Sequence, residues 1–319
     1  MQQIINIFRK FPVVIILAAI TSLAVTFLIP RSMSDSNASH LNKPAVLSET
    51  ESIQPRGEKL DQNQPIPKLT AAINETGLGA KSILAFDLNS GAEIYAKNPT
   101  QQLPIASLTK LMTALVTYRN AKLDENSIIL DSDRINVSPS LGLIAGDTVK
   151  LQDLFNAMLV GSDNDSALAL ANYVERKTGQ KFITLMNEMA QQLSMNSTRF
   201  ANPLGFDSSY NFSSSADLKL LVMETQQYTA FTSLSKTSRY SFKGNLGYTY
   251  STKTTNKLIA KDKEIFAVKT GFTENAGGSM ITKIEHDGHQ IILIVIGSEN
   301  REQDTLILKK EILKNTIWQ

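Results

Sequence analysis

Hydrophobic rhythm changes three times along the chain. Arg9 and Lys10 precede an uncharged apolar run from Phe11 to Ile29. About 20 apolar residues cross a bilayer as a helix, so residues 1–30 are expected to be a signal anchor or a signal peptide. The run exceeds the ~7–15 apolar residues of a cleaved signal. Ser36-Asn37-Ala38 also lies rather far beyond it for a cleavage site, which favours the anchor. With Arg9 and Lys10 held on the cytoplasmic side, everything after Arg31 is expected outside the membrane. Across residues 31–68 the rhythm dissolves into Ser, Asn, Gln, Glu and Pro with isolated apolar positions, the pattern of a flexible linker. Residues 69–319 restore periodicity and read as one body.

Within that body, two strands are expected first, Ser82–Asp87 and Ala92–Ala96 around Asn89-Ser90-Gly91. Leu108, Leu111, Met112, Leu115 and Val116 then recur at helical spacing. Further helices are expected near Leu151–Leu159, Asp165–Lys177, Lys181–Leu193 and Ala216–Gln227. Strands return at Ile265–Val268, Ser279–Ile284 and Gln290–Ile296, the last two joined by an Asp287-Gly288 turn. A helix over Gln303–Trp318 closes the chain. This order predicts an α+β fold: an antiparallel sheet of about five strands built from both ends, plus a mainly helical lobe, with a cleft between them.

Composition narrows the chemistry. Hydrophobic residues make up 42% and charged residues 19%, enough for a packed core. Lys+Arg total 32 against 30 Asp+Glu, so no strong field draws the chain to nucleic acid. The absence of cysteine excludes disulfides, thiolate metal sites and cysteine nucleophiles. The three histidines are His40 in the linker and His286 and His289 beside the expected turn, where solvated roles are usual. A hydrolase built here needs a base other than histidine.

Ser107 and Lys110 supply one. An N-cap is the ordinary use of a serine before a helical pattern. A capping box, however, would want Glu or Gln where Lys110 stands, and the helix dipole disfavours a cation in a first turn. Spacing i, i+3 sets the two side by side. A desolvated lysine there has a lowered pKa and can take the serine proton. Ser162-Asp163-Asn164 lies between two helices, where polar residues usually cap. Lys269-Thr270-Gly271 ends a strand, where glycine eases a bend. Each segment is ordinary alone; the order S-x-x-K, S-D-N, K-T-G is not.

On these motifs the chain resembles the low-molecular-mass penicillin-binding proteins, the serine D-alanyl-D-alanine carboxypeptidases of peptidoglycan metabolism. The likeness runs from about Lys81 to Trp318. It takes in Ala96-Lys97-Asn98, Ala106 through Thr113, Ala145-Gly146-Asp147-Thr148, Phe200-Ala201-Asn202-Pro203, Thr255-Asn256-Lys257-Leu258 and Lys269 through Gly277. The resemblance implies a β-lactamase/DD-peptidase-like fold and a serine DD-peptidase domain over 69–319, without a metal or other cofactor. Ser107 would be the nucleophile, Lys110 its proton acceptor and Ser162 the relay to the leaving amine. Asn164 would hold the substrate amide, and Lys269 would keep the pocket cationic. Thr270 and Thr273 would meet the substrate carboxylate, beside Gly271. Backbone N–H groups of Ser107 and Phe272 would form an oxyanion hole. Arg301 has two readings of equal standing, a carboxylate ligand or a solvated helix-start residue. Pro203-Leu204-Gly205 departs from the family's usual Pro-His-Gly, with no catalytic loss assigned to it.

The implied partners are peptidoglycan stem peptides ending in D-Ala-D-Ala, β-lactam antibiotics, and the membrane through the N-terminal segment. The implied location is extracytoplasmic, in a bacterial cell envelope. A D,D-endopeptidase or transpeptidase uses the same residues and remains an alternative. A β-lactamase would need a deacylating glutamate, and Asn196-Ser197-Thr198-Arg199-Phe200, the segment expected to carry it, has no acid. A non-catalytic binder would have no chemical need for Ser107, Lys110, Ser162, Asn164 and Lys269 together.

Overall fold

The computed structural model describes residues 65–319. The expected anchor and nearly all of the linker lie outside the described residues. In chain order the elements are β1 (Pro67–Leu69), β2 (Ser82–Asp87), β3 (Glu93–Lys97), α1 (Thr109–Asn120), β4 (Asn126–Ile128), β5 (Thr148–Lys150), α2 (Leu151–Gly161), α3 (Asn164–Thr178), α4 (Phe182–Gln192) and α5 (Ser215–Thr225). They continue with α6 (Thr229–Thr232), β6 (Arg239–Lys243), β7 (Thr249–Lys253), β8 (Ile265–Thr273), β9 (Gly277–His286), β10 (His289–Ser298), α7 (Arg301–Asn315) and β11 (Thr316–Trp318). Among these described residues, no helix is long and apolar enough to cross a membrane.

The central sheet has the order β3-β2-β10-β9-β8, every pair antiparallel. Its inner strands are apolar on both faces because helices cover both. Ile83 and Ala85 of β2 share one face with Leu293 and Val295 of β10, packed with Leu308 and Ile312 of α7. Leu84 and Phe86 face the other way with Ile292 and Ile294, against Leu108, Met112 and Leu115 of the helical lobe. This alternation is the period of two in a pleated strand. Each fully buried Ile or Leu stabilises the arrangement by about 1.5–3 kcal/mol.

Two boundaries differ from the sequence reading. The closing helix stops at Asn315, and Thr316–Trp318 pair with Pro67–Leu69 as a two-stranded ribbon. β-Branched and aromatic residues favour the extended form once a partner strand is available, and the body accordingly begins before Leu69. The Asp287-Gly288 turn forms as expected, with both residues at positive φ. Its flanking histidines are only partly exposed, however. His286 Nδ1 meets Glu264 at 2.7 Å, and His289 stacks on Trp318 with centroids 3.9 Å apart. The hairpin β6–β7 and the β4–β5 pair carried too weak a pattern to be anticipated.

Candidate active site

Ser107 sits in a tight 3₁₀ turn, Ala106–Leu108, that feeds α1. It caps nothing: no side chain caps either this turn or α1. Ala106 is held at φ +47°, a conformation that persists only where packing enforces it. Two glycines do so. A Cβ on Gly205 would stand 2.0 Å from the Ala106 carbonyl oxygen, and one on Gly271 would stand 2.9 Å from that of Ile105. The turn is clasped from both sides.

Nearly every residue of α1 from Thr109 to Thr117 is buried, and Lys110 has 0% exposure. Its Nζ donates to Ser107 Oγ at 3.0 Å, Asn164 Oδ1 at 2.8 Å and the Leu204 carbonyl at 2.6 Å. Burial pushes its pKa down to about 7, against an upward pull from the nearby Asp163 carboxylate. A neutral amine keeps two N–H donors and one lone pair. Asn164 Oδ1 and the Leu204 carbonyl can only accept, so they take the two donors. The lone pair is thereby left for the hydroxyl of Ser107.

α2 ends at Gly161, where the helix packs so closely on β7 that a Cβ would fall 1.8 Å from Thr252 Oγ1. Ser162 follows in the left-handed region at φ +60°. Asp163 caps α3, accepting from Ser166 N at 2.6 Å, and burial raises its own pKa to about 6. Asn164 donates from its backbone to Pro139 O at 2.8 Å and from Nδ2 to Val137 O at 2.9 Å. Both ends of its side chain are committed to the protein. Its Oδ1 also accepts from Lys110, so the residue expected to hold the substrate amide positions the lysine as well.

Lys269 reaches the same cleft through a bulge. Ala267 pairs with Thr282 but Lys269 with Ile281, leaving Val268 extra. A strict alternation from Ile265 would aim Lys269 at α7; the extra residue turns it to the helical-lobe face. At 2% exposure, Lys269 Nζ donates to Ser162 Oγ and Thr270 O at 2.8 and 2.9 Å. Burial pushes its pKa well down, assisted by the charges of Lys110 and Arg301. Ser162 Oγ accepts from Lys269 and keeps its own proton to give.

The other nominated residues lie along β8. Thr270 and Thr255 share a hydroxyl–hydroxyl hydrogen bond. Phe272 is 66% exposed. Thr273 Oγ donates to Asp207 Oδ1 at 2.7 Å, so its hydroxyl is engaged by an acid where a substrate carboxylate was expected. Arg301 is not simply solvated: Nη1 donates to the Gly271 carbonyl at 2.6 Å, and Nε faces Glu302 at 3.3 Å. Sequence reading missed Asp163 as a charge, Asp207, and the Leu204 carbonyl. A backbone carbonyl leaves no mark in residue type, although Pro203-Leu204-Gly205 had already stood out as a motif.

A profile of the Peptidase S11 family, described as D-alanyl-D-alanine carboxypeptidase, matches residues 69–300. A D-alanyl-D-alanine endopeptidase of Pseudomonas aeruginosa is 32% identical over 238 residues, 73% of this chain and 75% of the relative. The carboxypeptidase DacF of Bacillus subtilis is 26% identical over 239 residues, and the match covers 72% of this chain and 60% of DacF. Among solved structures, a variant of the Streptomyces K15 DD-transpeptidase superposes with TM-score 0.69 at 25% identity, covering 74% of this chain and 98% of that one. Penicillin-binding protein D2 of Listeria monocytogenes, in a cefotaxime-bound form, gives 0.63 at 27% identity, covering 74% and 98%.

Proposed function

Since the chain belongs to the D-alanyl-D-alanine carboxypeptidase family, we propose that it is a serine D,D-peptidase that removes the terminal D-Ala from peptidoglycan stem peptides through a Ser107 acyl-enzyme. The observation that carries the reading is Lys110 Nζ, buried among Ser107 Oγ and two groups that only accept. Ser107 Oγ attacks the scissile carbonyl as its proton passes to the Lys110 lone pair. The tetrahedral intermediate collapses, the C–N bond breaks, and the leaving amine takes a proton through Ser162, replenished from the lysines. Water then attacks the ester, with Lys110 again accepting a proton, and the shortened peptide departs.

The test joins two assays on one sample. A peptide ending in D-Ala-D-Ala should release D-Ala, and penicillin should leave a covalent adduct visible by intact-mass spectrometry. Ser107→Ala should lose both. An unmodified mass in folded wild-type protein would sink the reading, and rapid hydrolysis of penicillin would turn it toward a β-lactamase.

One observation favours a D,D-endopeptidase as the second reading. The endopeptidases of Pseudomonas aeruginosa, Escherichia coli and Haemophilus influenzae are 32%, 31% and 35% identical, and the matches cover 75–76% of their lengths. For DacF and the DacD of Escherichia coli the figures are 26% and 29% identity, with 60% and 59% of their lengths covered. Cleavage of a crosslinked muropeptide dimer faster than of the monomeric pentapeptide would decide for it. We also place the body outside the cytoplasmic membrane, tethered by Phe11–Ile29, on the strength of that run behind Arg9-Lys10. N-terminal sequencing should then find Met1 or Gln2, whereas a start near Ser39 would mean cleavage.

A further inference from the structure

Gln102, five residues ahead of Ser107, borders an open groove of about 580 Å³ between α4 and residues 196–199. Its size is that of a small-molecule site, but the lining is not the mainly apolar one such sites have. Gln102, Gln191 and Asn196 present exposed amides, and Glu188 and Arg199 bring one charge of each sign. Beside Arg199, Tyr210 is 59% exposed, with the guanidinium 4.7 Å from the centre of its ring.

The groove is held in shape by other groups. Asn187 of α4 accepts from Phe200 N and donates to the Phe200 carbonyl, both at 2.9 Å. Arg199 and Phe212 exchange two backbone hydrogen bonds of 3.0 Å. Thr198 Oγ1 donates to Asp217 Oδ2 at 2.7 Å. A surface fixed in this way loses little freedom when a ligand settles on it.

The lining sets the class of ligand. Its balanced charge gives no pull on a polyanion. Amides both donate and accept, which matches hydroxyl and acetamido groups. A tyrosine ring fixed on one face by a cation offers the other to the C–H face of a sugar. The reach also fits. A Cβ on Gly205 would stand 2.9 Å from Ser107 N, and Tyr210 follows Gly205 by five residues. Five residues span at most ~18 Å, and the turn closed by Asn211 N on the Ser208 carbonyl shortens that. In a pentapeptide stem, four residues separate the sugar from the scissile bond, up to ~14 Å. The departing D-Ala is one residue long, so only the acyl side of such a substrate extends this far.

We infer that this groove, with Tyr210 at its edge, is a sugar subsite. It takes the neutral, N-acetylated amino-sugar strand from which the stem peptide hangs. The inference rests on the D,D-peptidase reading above.

The test compares two substrates of the full-length protein. One is an N-acetylated pentapeptide ending in D-Ala-D-Ala, and the other is the same pentapeptide on an N-acetylglucosaminyl-N-acetylmuramoyl disaccharide. Wild-type enzyme should show a kcat/KM on the disaccharide form higher by roughly three- to tenfold, mainly through KM, the size one aromatic contact supports. Tyr210→Ala should bring the ratio of the two close to one, and Gln191→Ala should lower it. Each ratio is taken within one preparation, so a partly misfolded sample does not distort it. A wild-type ratio near one, or a ratio unchanged in both variants, would overturn the inference and leave the peptidase reading standing. A gain conferred by a crosslinked second stem peptide but not by the sugars would overturn it too, and give the groove to peptide. Failure of the wild type to release D-Ala from either substrate would overturn the peptidase reading, and this inference with it.

Discussion

Acylation by Ser107 should follow the deprotonation of Lys110, so lowering the pH through 7 should switch it off. An ordinary lysine, at 10.5, is neutral in only about three molecules in ten thousand at pH 7. With Lys110 held near 7 by burial, about half are. The gain is on the order of a thousandfold in competent enzyme, or about 4 kcal/mol of barrier. Single-turnover acylation by a fluorescent penicillin should therefore be half-maximal near pH 7 and roughly tenfold below its plateau at pH 6. Asp163→Asn is the diagnostic variant. It retains a side-chain oxygen for Ser166 N, so α3 keeps its cap, but it removes the charge that pulls the Lys110 pKa up. Its acid limb should shift to lower pH. A rate that is flat from pH 5.5 to 8, a half-maximum at pH 9 or above, or an upward shift in Asp163→Asn would refute the assignment of Lys110 as proton acceptor.

Other outcomes concern stability and two further variants. Both buried lysines have folded-state pKa values below the unfolded 10.5, so from about pH 7 upward the unfolded chain binds more protons. Stability should rise toward pH 9, by at most about 1.4 kcal/mol per pH unit for each lysine; a urea midpoint equal or lower at pH 9 than at pH 7 would contradict this. Gly205→Ala forces a Cβ to within 2.0 Å of the Ala106 carbonyl at φ +84°. It should destabilise by about 2–4 kcal/mol and slow acylation, and a variant with unchanged melting and acylation would show that the clasp on Ser107 is dispensable. Lys110→Ala should lose acylation altogether, since neither His286 nor His289 is within reach. His286 lies about 24 Å along β9 from Ser279, which pairs with Gly271.

Much of the architecture was legible without coordinates. Short apolar runs bounded by turn signals at both ends and 3.6-period runs between them point to a sheet shared by the termini and a helical lobe, because each face must be buried against another element. The lack of cysteine, and histidines only in the linker and beside a turn, pointed to a base other than histidine, while the order S-x-x-K, S-D-N, K-T-G and the resemblance it carries nominated Ser107, Lys110 and Lys269. What tertiary structure decided were matters of direction and partnership. The bulge at Val268 sets which face Lys269 takes, and an inserted residue is invisible to periodicity. Burial sets the pKa of Lys110, a property of the whole lobe. Leu204 serves through its carbonyl, which every residue possesses. Asp207 lies against Thr273 and Glu302 against Arg301. For Thr273 that contact joins positions 66 residues apart, and a long-range pairing of this kind exists only once the chain has closed on itself.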